Sequence, residues 1–382
     1  MESKKYIPIS LPSMGQEEWE ACKLPIMSGW VTQGPQVEAF ENLFAEIHNV
    51  KHAIAVSNCT TALHLSLLAI GIGPGDEVIV PAFTWISTAN AVIYCGAKPV
   101  FVDIDLKTFN IDPDKIKKEI NKNTKAIIPV HLFGLCANID KIRSISSNII
   151  IIEDAACAAG ALYLNKPAGS LGEIGCFSFH PRKSITTGEG GMITTNNDEY
   201  ADLIRKLRNH GASISEEQRH KGPKPYILPN FDLVGYNYRM TDIQGAIGFV
   251  QLKKLIHFIE SRNMWAQYYS NSLNKIDWII TPEQITNYRH GWQSYVLLLN
   301  PSTSPITRND FMELLQSKGI ATRPGTHAVH MLNFYKSKFS IQENDFPNSK
   351  IADQQSVAIP LHNLMTKSDF DYIINTIKNI TN

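Results

Sequence analysis

Net charge is what this sequence has least of: Lys and Arg total 36, and Asp and Glu also total 36. That balance gives no reason to expect nucleic acid or an anionic membrane as the main partner. Long hydrophobic runs are missing as well. The most apolar stretch, NIIIIEDAACAAGALYL (148–164), is broken by Glu153 and Asp154 and is too short to cross a bilayer. The opening MESKKYIPIS lacks the apolar centre of a secretory signal. The six cysteines (Cys22, Cys59, Cys95, Cys136, Cys157, Cys176) are scattered and form no Cys-x-x-Cys pair. In so long a chain this argues for reduced, buried thiols, a cytoplasmic location and no metal site. Neither G-x-G-x-x-G after the first strand nor G-x-x-x-x-G-K-[ST] occurs, which disfavours nicotinamide and nucleoside-triphosphate chemistry.

What is present is a pattern. With 43% hydrophobic residues in 382, the chain can bury a sizeable core, in one large domain with an added lobe or in two to three domains. From residue 50 onward short apolar runs alternate with helical spacing. HAIAVS (52–57), DEVIVPA (76–82), PVFVDID (99–105), TKAIIPVHLFG (124–134), NIIIIEDAA (148–156), IGCFSF (174–179) and GMITT (191–195) read as strands. TTALHLSLLAIG (60–71) and STANAVIYCG (87–96) read as helices between them. Such a series predicts an α/β fold with a mostly parallel sheet sandwiched by helices. Residues 209–232 form a polar loop too long for a plain connector. Residues 241–273 read as one long helix capped by Thr241, leading to a second lobe.

In open α/β sheets ligands gather where strands end, and the unusual residues fall there. Asp154 ends its strand as a carboxylate that reads either as a helix cap or as a buried anion awaiting a cation. SNCTTA (57–62) sets Thr60 and Thr61 at a helix start, suited either to capping or to a phosphate. Trp85 is either core or a flat surface for a flat ligand. FSFHPRKSITTGEGG (177–191) places Ser178 and Lys183 in a glycine-rich loop. A phosphate cradle, a stacking ring, a carboxylate and a lysine are together what pyridoxal phosphate requires. Lys183 would join its aldehyde as a Schiff base, with an ammonium expected to titrate below its ordinary range.

The sequence resembles the pyridoxal-phosphate-dependent sugar aminotransferases of the DegT/StrS type, within the fold-type-I, aspartate-aminotransferase-like group. The likeness runs almost end to end through GWVTQGPQVEAFE (29–41), GIGPGDEVIVPAFTWISTANAV (71–92), PVHLFG (129–134), IIEDAACAAGA (151–161), FSFHPRKSITTGEGGM (177–192) and GYNYRMTDIQGAIGFVQL (235–252). It implies a large cofactor-binding α/β domain over 12–255 and a small C-terminal α+β domain over 256–382, with 1–11 packing on the latter. It implies Lys183 as the Schiff-base lysine and proton shuttle, and Asp154 at the pyridine nitrogen. Trp85 would stack on the ring, while Thr60, Thr61 and Ser178 bind phosphate. Asn237 would reach the phosphate of a partner subunit, making a homodimer with shared sites, and the loop 209–232 would help close the neighbouring site.

The resemblance further implies a two-half-reaction transaminase. L-Glutamate loads the cofactor to pyridoxamine phosphate, and a keto sugar on a nucleotide then takes the amine, in amino-sugar biosynthesis for a surface polysaccharide or a glycosylated metabolite. The expected acceptor is a 4-keto-6-deoxy hexose, met by Arg323, His327, His330 and Tyr238. Four positions depart from the usual pattern: Cys59 for glycine, Cys157 for the glutamine or histidine that touches the cofactor, and Arg182 and Ser184 beside the lysine. A sugar dehydratase of the same fold has histidine in place of the lysine, so Lys183 weighs against it. A non-catalytic regulatory homologue is the other alternative.

Overall fold

The computed structural model describes residues 6–146, 148–214, 224 and 226–380. Seven strands form the main sheet, in the order His52–Val56, Gly191–Thr195, Ile174–Ser178, Ile150–Asp154, Thr124–Ile127, Glu77–Pro81 and Lys98–Val102. Every adjacent pair is parallel except the two made by Gly191–Thr195, which runs antiparallel to both neighbours. The inner strands are apolar throughout because both faces are covered, so neither face needs a polar register.

On one face lie the helices Cys59–Ala69, Ser87–Tyr94 and Asp198–Arg208, closing a core that includes Ile54, Val80, Ile152 and Ile193. On the other, the helices Pro35–Ile47 and Asp242–Leu273 press Phe40, Phe44 and Leu255 against Ala55, Phe177 and Met192. The 32 residues of Asp242–Leu273 span about 48 Å at helical rise. Thr241 caps this helix by accepting from the Gln244 N–H, with Gln244 closing a capping box. Gly245 and Gly248 let it lie close on Pro35–Ile47, since a Cβ at Gly245 would stand 2.7 Å from Val37 N.

The far end of the long helix packs in a separate core with Tyr269, Trp292, Tyr295 and Phe370. That core covers a three-stranded antiparallel sheet in the order Ile279–Ile280, Tyr295–Leu299 and Ser356–Ile359. Asp103, just beyond Lys98–Val102, joins the two sheets' surroundings. Its carboxylate accepts from Asn348 N, Ser349 N and Ser349 Oγ at the start of the helix Pro347–Gln355, and from Lys115. Among the described residues no helix is long and apolar enough to cross a membrane.

Candidate active site

The strand Ile150–Asp154 presents successive carboxylates to opposite faces, as the pleat requires. Asp154 is 5% exposed and its Oδ2 accepts from Thr88 Oγ1 at 2.7 Å. Thr88 Oγ1 in turn meets Thr84 Oγ1 at 3.1 Å, so a chain of hydroxyls from the end of one strand and the start of the next helix reaches the carboxylate. Oδ1 accepts from Ala156 N at 3.2 Å. Among the described residues no cation forms an ion pair with this carboxylate. Burial therefore pushes the Asp154 carboxyl above its ordinary range, against the opposing pull of Thr88 and Ala156. A buried anion short of a cation is a fitting partner for the protonated nitrogen of a flat heterocycle.

Around it, the helix Cys59–Ala69 begins at Asn58, whose side chain accepts from Thr61 N at 2.9 Å. The Thr61 hydroxyl turns back to Asn58 O at 2.7 Å, so in this structure it completes the cap. Thr60 Oγ1 donates to Ser87 Oγ at 2.9 Å, which brings the starts of two helices, Cys59–Ala69 and Ser87–Tyr94, to one place. Two helix starts and their hydroxyls lie together here, an arrangement suited to a phosphate. The strand Gly191–Thr195 closes on that arrangement so tightly that a Cβ at Gly191 would stand 2.5 Å from Asn58 C. Ser178 ends its strand partly exposed, its Oγ facing His180 N at 3.4 Å.

Trp85 follows Thr84 directly and is 59% exposed, an unusual state for the largest apolar side chain. Its ring lies 5.7 Å from that of His327, tilted 43°, because His327 pairs with Thr84 across a short antiparallel bridge. Arg323 is exposed on the same segment and is tied by its backbone to Ala358. His330 is elsewhere: fully buried, packed on Phe346 and facing Glu343 O, it does not reach the cleft. The expectation that it meets substrate fails because the turn Val329–Met331 points it into the core. Asn237 is exposed and bridges Asn209 through its backbone. Tyr238 is half-buried, its hydroxyl 3.4 Å from His64 Nδ1. The loop 209–232 is pinned by the Asn209–Asn237 and Ala212–Phe231 bridges; residues 215–223 and 225 lie outside the described part.

Lys183 is half-buried, and its Nζ donates to Cys157 Sγ at 3.2 Å. Burial works against its charge, but Cys157, then Cys59 and Asp154, outweigh that and hold the ammonium above its ordinary range. This corrects the expected downward shift: the lysine is desolvated as expected, but sulfur and carboxylate neighbours outweigh that burial. The sequence motifs point to neither Thr88 nor Ser87 as site residues, nor to the sulfur contact. Thr88 had a usable signal, lying three residues after Trp85 on a helix start. A further support comes from far along the chain, where Gln293 Nε2 donates to Arg182 O at 2.9 Å and Ser184 Oγ faces Gly291 O at 3.5 Å. The backbone here is unusual, with Phe133 at φ 57° and Trp292 at φ 42°, both in the left-handed region that large residues avoid. Such strain gathers at functional sites.

The sequence profile of the DegT/DnrJ/EryC1/StrS aminotransferase family matches residues 12–378. The chain belongs to that family. It is 38% identical over 378 residues to the spore coat polysaccharide biosynthesis protein SpsC of Bacillus subtilis, covering 98% of this chain and 97% of that one. Among solved structures, an aminotransferase from Psychrobacter cryohalolentis superposes with a TM-score of 0.93 at 30% identity, covering 99% of each chain. The putative sugar aminotransferase Spr1654 of Streptococcus pneumoniae, described in PMP form, superposes at 0.91 with 26% identity and 98% of each chain covered. For this family member the fold is that of the type-I transferases, as its motifs led one to expect.

Proposed function

We propose that this aminotransferase uses pyridoxal phosphate, cycling through pyridoxamine phosphate, to move an amino group from L-glutamate to a nucleotide-linked keto sugar. The observation that carries the reading is the meeting of Lys183, Asp154 and the two helix starts at one end of the sheet. The relatives support the sugar: one is described as a polysaccharide biosynthesis protein and another as a putative sugar aminotransferase. A nucleotide-linked 4-keto-6-deoxy hexose is the acceptor we favour, with the product destined for a surface polysaccharide or a glycosylated metabolite.

Bound pyridoxal phosphate supplies an aldehyde that accepts the amino group and a ring that draws electrons from the carbon losing its proton. The chain's own residues do the rest. Asp154 would face the protonated ring nitrogen, whose charge would stabilise the carboxylate in its ionised form. Trp85 offers an exposed indole face on which the ring would stack, and Thr60 and Thr61 at a helix start, with Ser178 at a strand end, would hold the phosphate. Cys157 lies beside the lysine. Nζ of Lys183 takes the α-proton of glutamate in the first half and delivers a proton to the amine-bearing carbon of the sugar in the second. Arg323 and His327, exposed on the segment that pairs with Thr84, would suit a diphosphate and sugar hydroxyls, with Tyr238 a further candidate.

We assign residues 12–255 to the cofactor domain and 256–382 to the second domain. We also place the protein in the cytoplasm as a homodimer, whose Asn237 completes the partner's phosphate site. Support for the dimer comes from exposed apolar residues near Asn237: Tyr226, Leu228, Phe231 and Val234 are 58–88% exposed. All six cysteines are free, which suits a reducing compartment. The test is a panel of nucleotide-linked keto sugars incubated with ¹⁵N-labelled L-glutamate and pyridoxal phosphate. The expected result is a ¹⁵N-labelled amino sugar together with 2-oxoglutarate. Formation of 2-oxoglutarate with no sugar aminated would overturn the acceptor, and no 2-oxoglutarate at all would overturn the donor.

A further inference from the structure

The hydrogen bond between Lys183 and Cys157 joins two segments that are each held by their own backbone. Lys183 N donates to His180 O at 2.8 Å, and the turn around Cys157 is closed by Ala158 N to Ala155 O at 2.9 Å. From the opposite side Gly134 presses on the same turn: its φ is +105°, and a Cβ there would stand 3.1 Å from Cys157 O. The sulfur is therefore presented to Nζ by a fixed frame. Among the described residues Nζ has this one hydrogen-bond partner. The other charged or titratable groups facing it are Cys59 in the first turn of Cys59–Ala69 and Asp154 at the end of its strand. His180 and Arg182 flank it on its own loop, and His180 feels the charge of both cations.

An ammonium has three N–H donors and no lone pair, so it cannot attack a carbonyl; the neutral amine can. A sulfur that accepts from Nζ favours the charged form, and the charge on Lys183 is favoured here against its burial. We propose that Cys157 is the resting partner of Lys183, a positioning residue that takes the hydrogen bond of the ε-ammonium whenever the lysine is not joined to cofactor and thereby slows its attack on a carbonyl. Two consequences follow for the reaction. While the amino group resides on the cofactor, the freed lysine is held in one place and in its proton-carrying form. Reloading with free pyridoxal phosphate is slow near neutral pH and speeds up as the ammonium loses its proton. Only these consequences rest on the cofactor reading; the contact itself does not.

Amine labelling tests the contact without any cofactor. The cofactor-free full-length protein is treated with trinitrobenzenesulfonate across a pH series, and labelling of Lys183 is followed by peptide mass spectrometry. Lys118, whose side chain is 71% exposed, serves as the internal reference. Losing one hydrogen bond to a charged group should speed Lys183 labelling about 3- to 10-fold near neutral pH in Cys157→Ala and move its pH profile to lower pH. Cys157→Ser, which retains an acceptor, should fall between the two. If the alanine variant melts early, the serine variant carries the comparison. Coinciding profiles for wild type and both variants would overturn the proposal, as would slower labelling in either variant. A second arm mixes each protein with pyridoxal phosphate and traps the product on Lys183 with borohydride. Capture in the wild type with coinciding labelling profiles would refute the role of Cys157 and leave the cofactor reading intact. Faster labelling in Cys157→Ala with no capture in any protein would refute the cofactor reading and leave the contact standing.

Discussion

Glu153 and Asp154 are consecutive residues of one strand, both buried, and they face opposite sides of the sheet into different surroundings. Glu153, with no exposure, accepts from the N–H groups of Gly169, Leu171 and Gly172, each at 2.7 Å, and meets His131 Nε2 at 2.8 Å. His131 Nδ1 accepts from Ala137 N at 3.1 Å, so the ring proton lies on Nε2 and the histidine is a neutral donor. Asp154 has one hydroxyl and one N–H, and burial holds its carboxyl above the ordinary range. The first carboxylate is saturated and holds a loop together. The second is left short of donors, as a group is when a ligand is to complete it.

The comparison can be broken in several ways. The largest effect belongs to the lysine beside Asp154: Lys183→Ala should lower transamination by at least about 10³-fold, with the melting temperature little changed. Steady-state rates and a thermal melt check both halves of that statement. Glu153→Gln should destabilise the fold by about 3 kcal/mol, because either orientation of the amide sets an NH2 group against N–H donors that need an acceptor. Urea unfolding measures it, and an unaltered midpoint would show that Glu153 is no keystone.

Asp154→Asn should do the opposite of Glu153→Gln. With the folded carboxyl titrating above its unfolded value of 3.8, the native state binds the proton more tightly, so wild-type stability falls as pH rises through that window. The asparagine variant without cofactor should therefore melt at or above the wild type at neutral pH, with the gap closing as pH drops below the ordinary aspartate range. Its retention of pyridoxal phosphate should fall at the same time. A lower melting temperature at every pH would contradict the contrast. The smallest effect is expected from Trp85→Ala: about 5- to 10-fold weaker cofactor binding with no loss of stability, since the exposed indole supports little core.

Much of this frame is legible in the residues themselves. The seven strands of the main sheet are apolar runs, and the long helix announces itself through Thr241 and its capping box. Asp154 ends a strand that can be recognised, and Thr60, Trp85 and Lys183 lie in segments that follow one. Other features have no local signal. The antiparallel direction of Gly191–Thr195 depends on its partners on both sides. The helix Gln16–Ser28 carries an internal Pro25 and buries only Glu18 and Pro25, so it shows no apolar stripe. The strands Tyr295–Leu299 and Ser356–Ile359 are far apart in sequence, and Gln293 reaches Arg182 across 111 positions. The shifted charge of Lys183 is hidden for the same reason, because its sulfur partner becomes visible when two loops are brought together.

One measurement addresses the central claim most directly. The purified protein is incubated with pyridoxal phosphate, with and without prior L-glutamate, then reduced with borohydride and mapped by mass spectrometry. The account predicts a single cofactor adduct on Lys183 that glutamate largely abolishes by releasing the lysine. An adduct spread over exposed lysines, or none on Lys183, would contradict it.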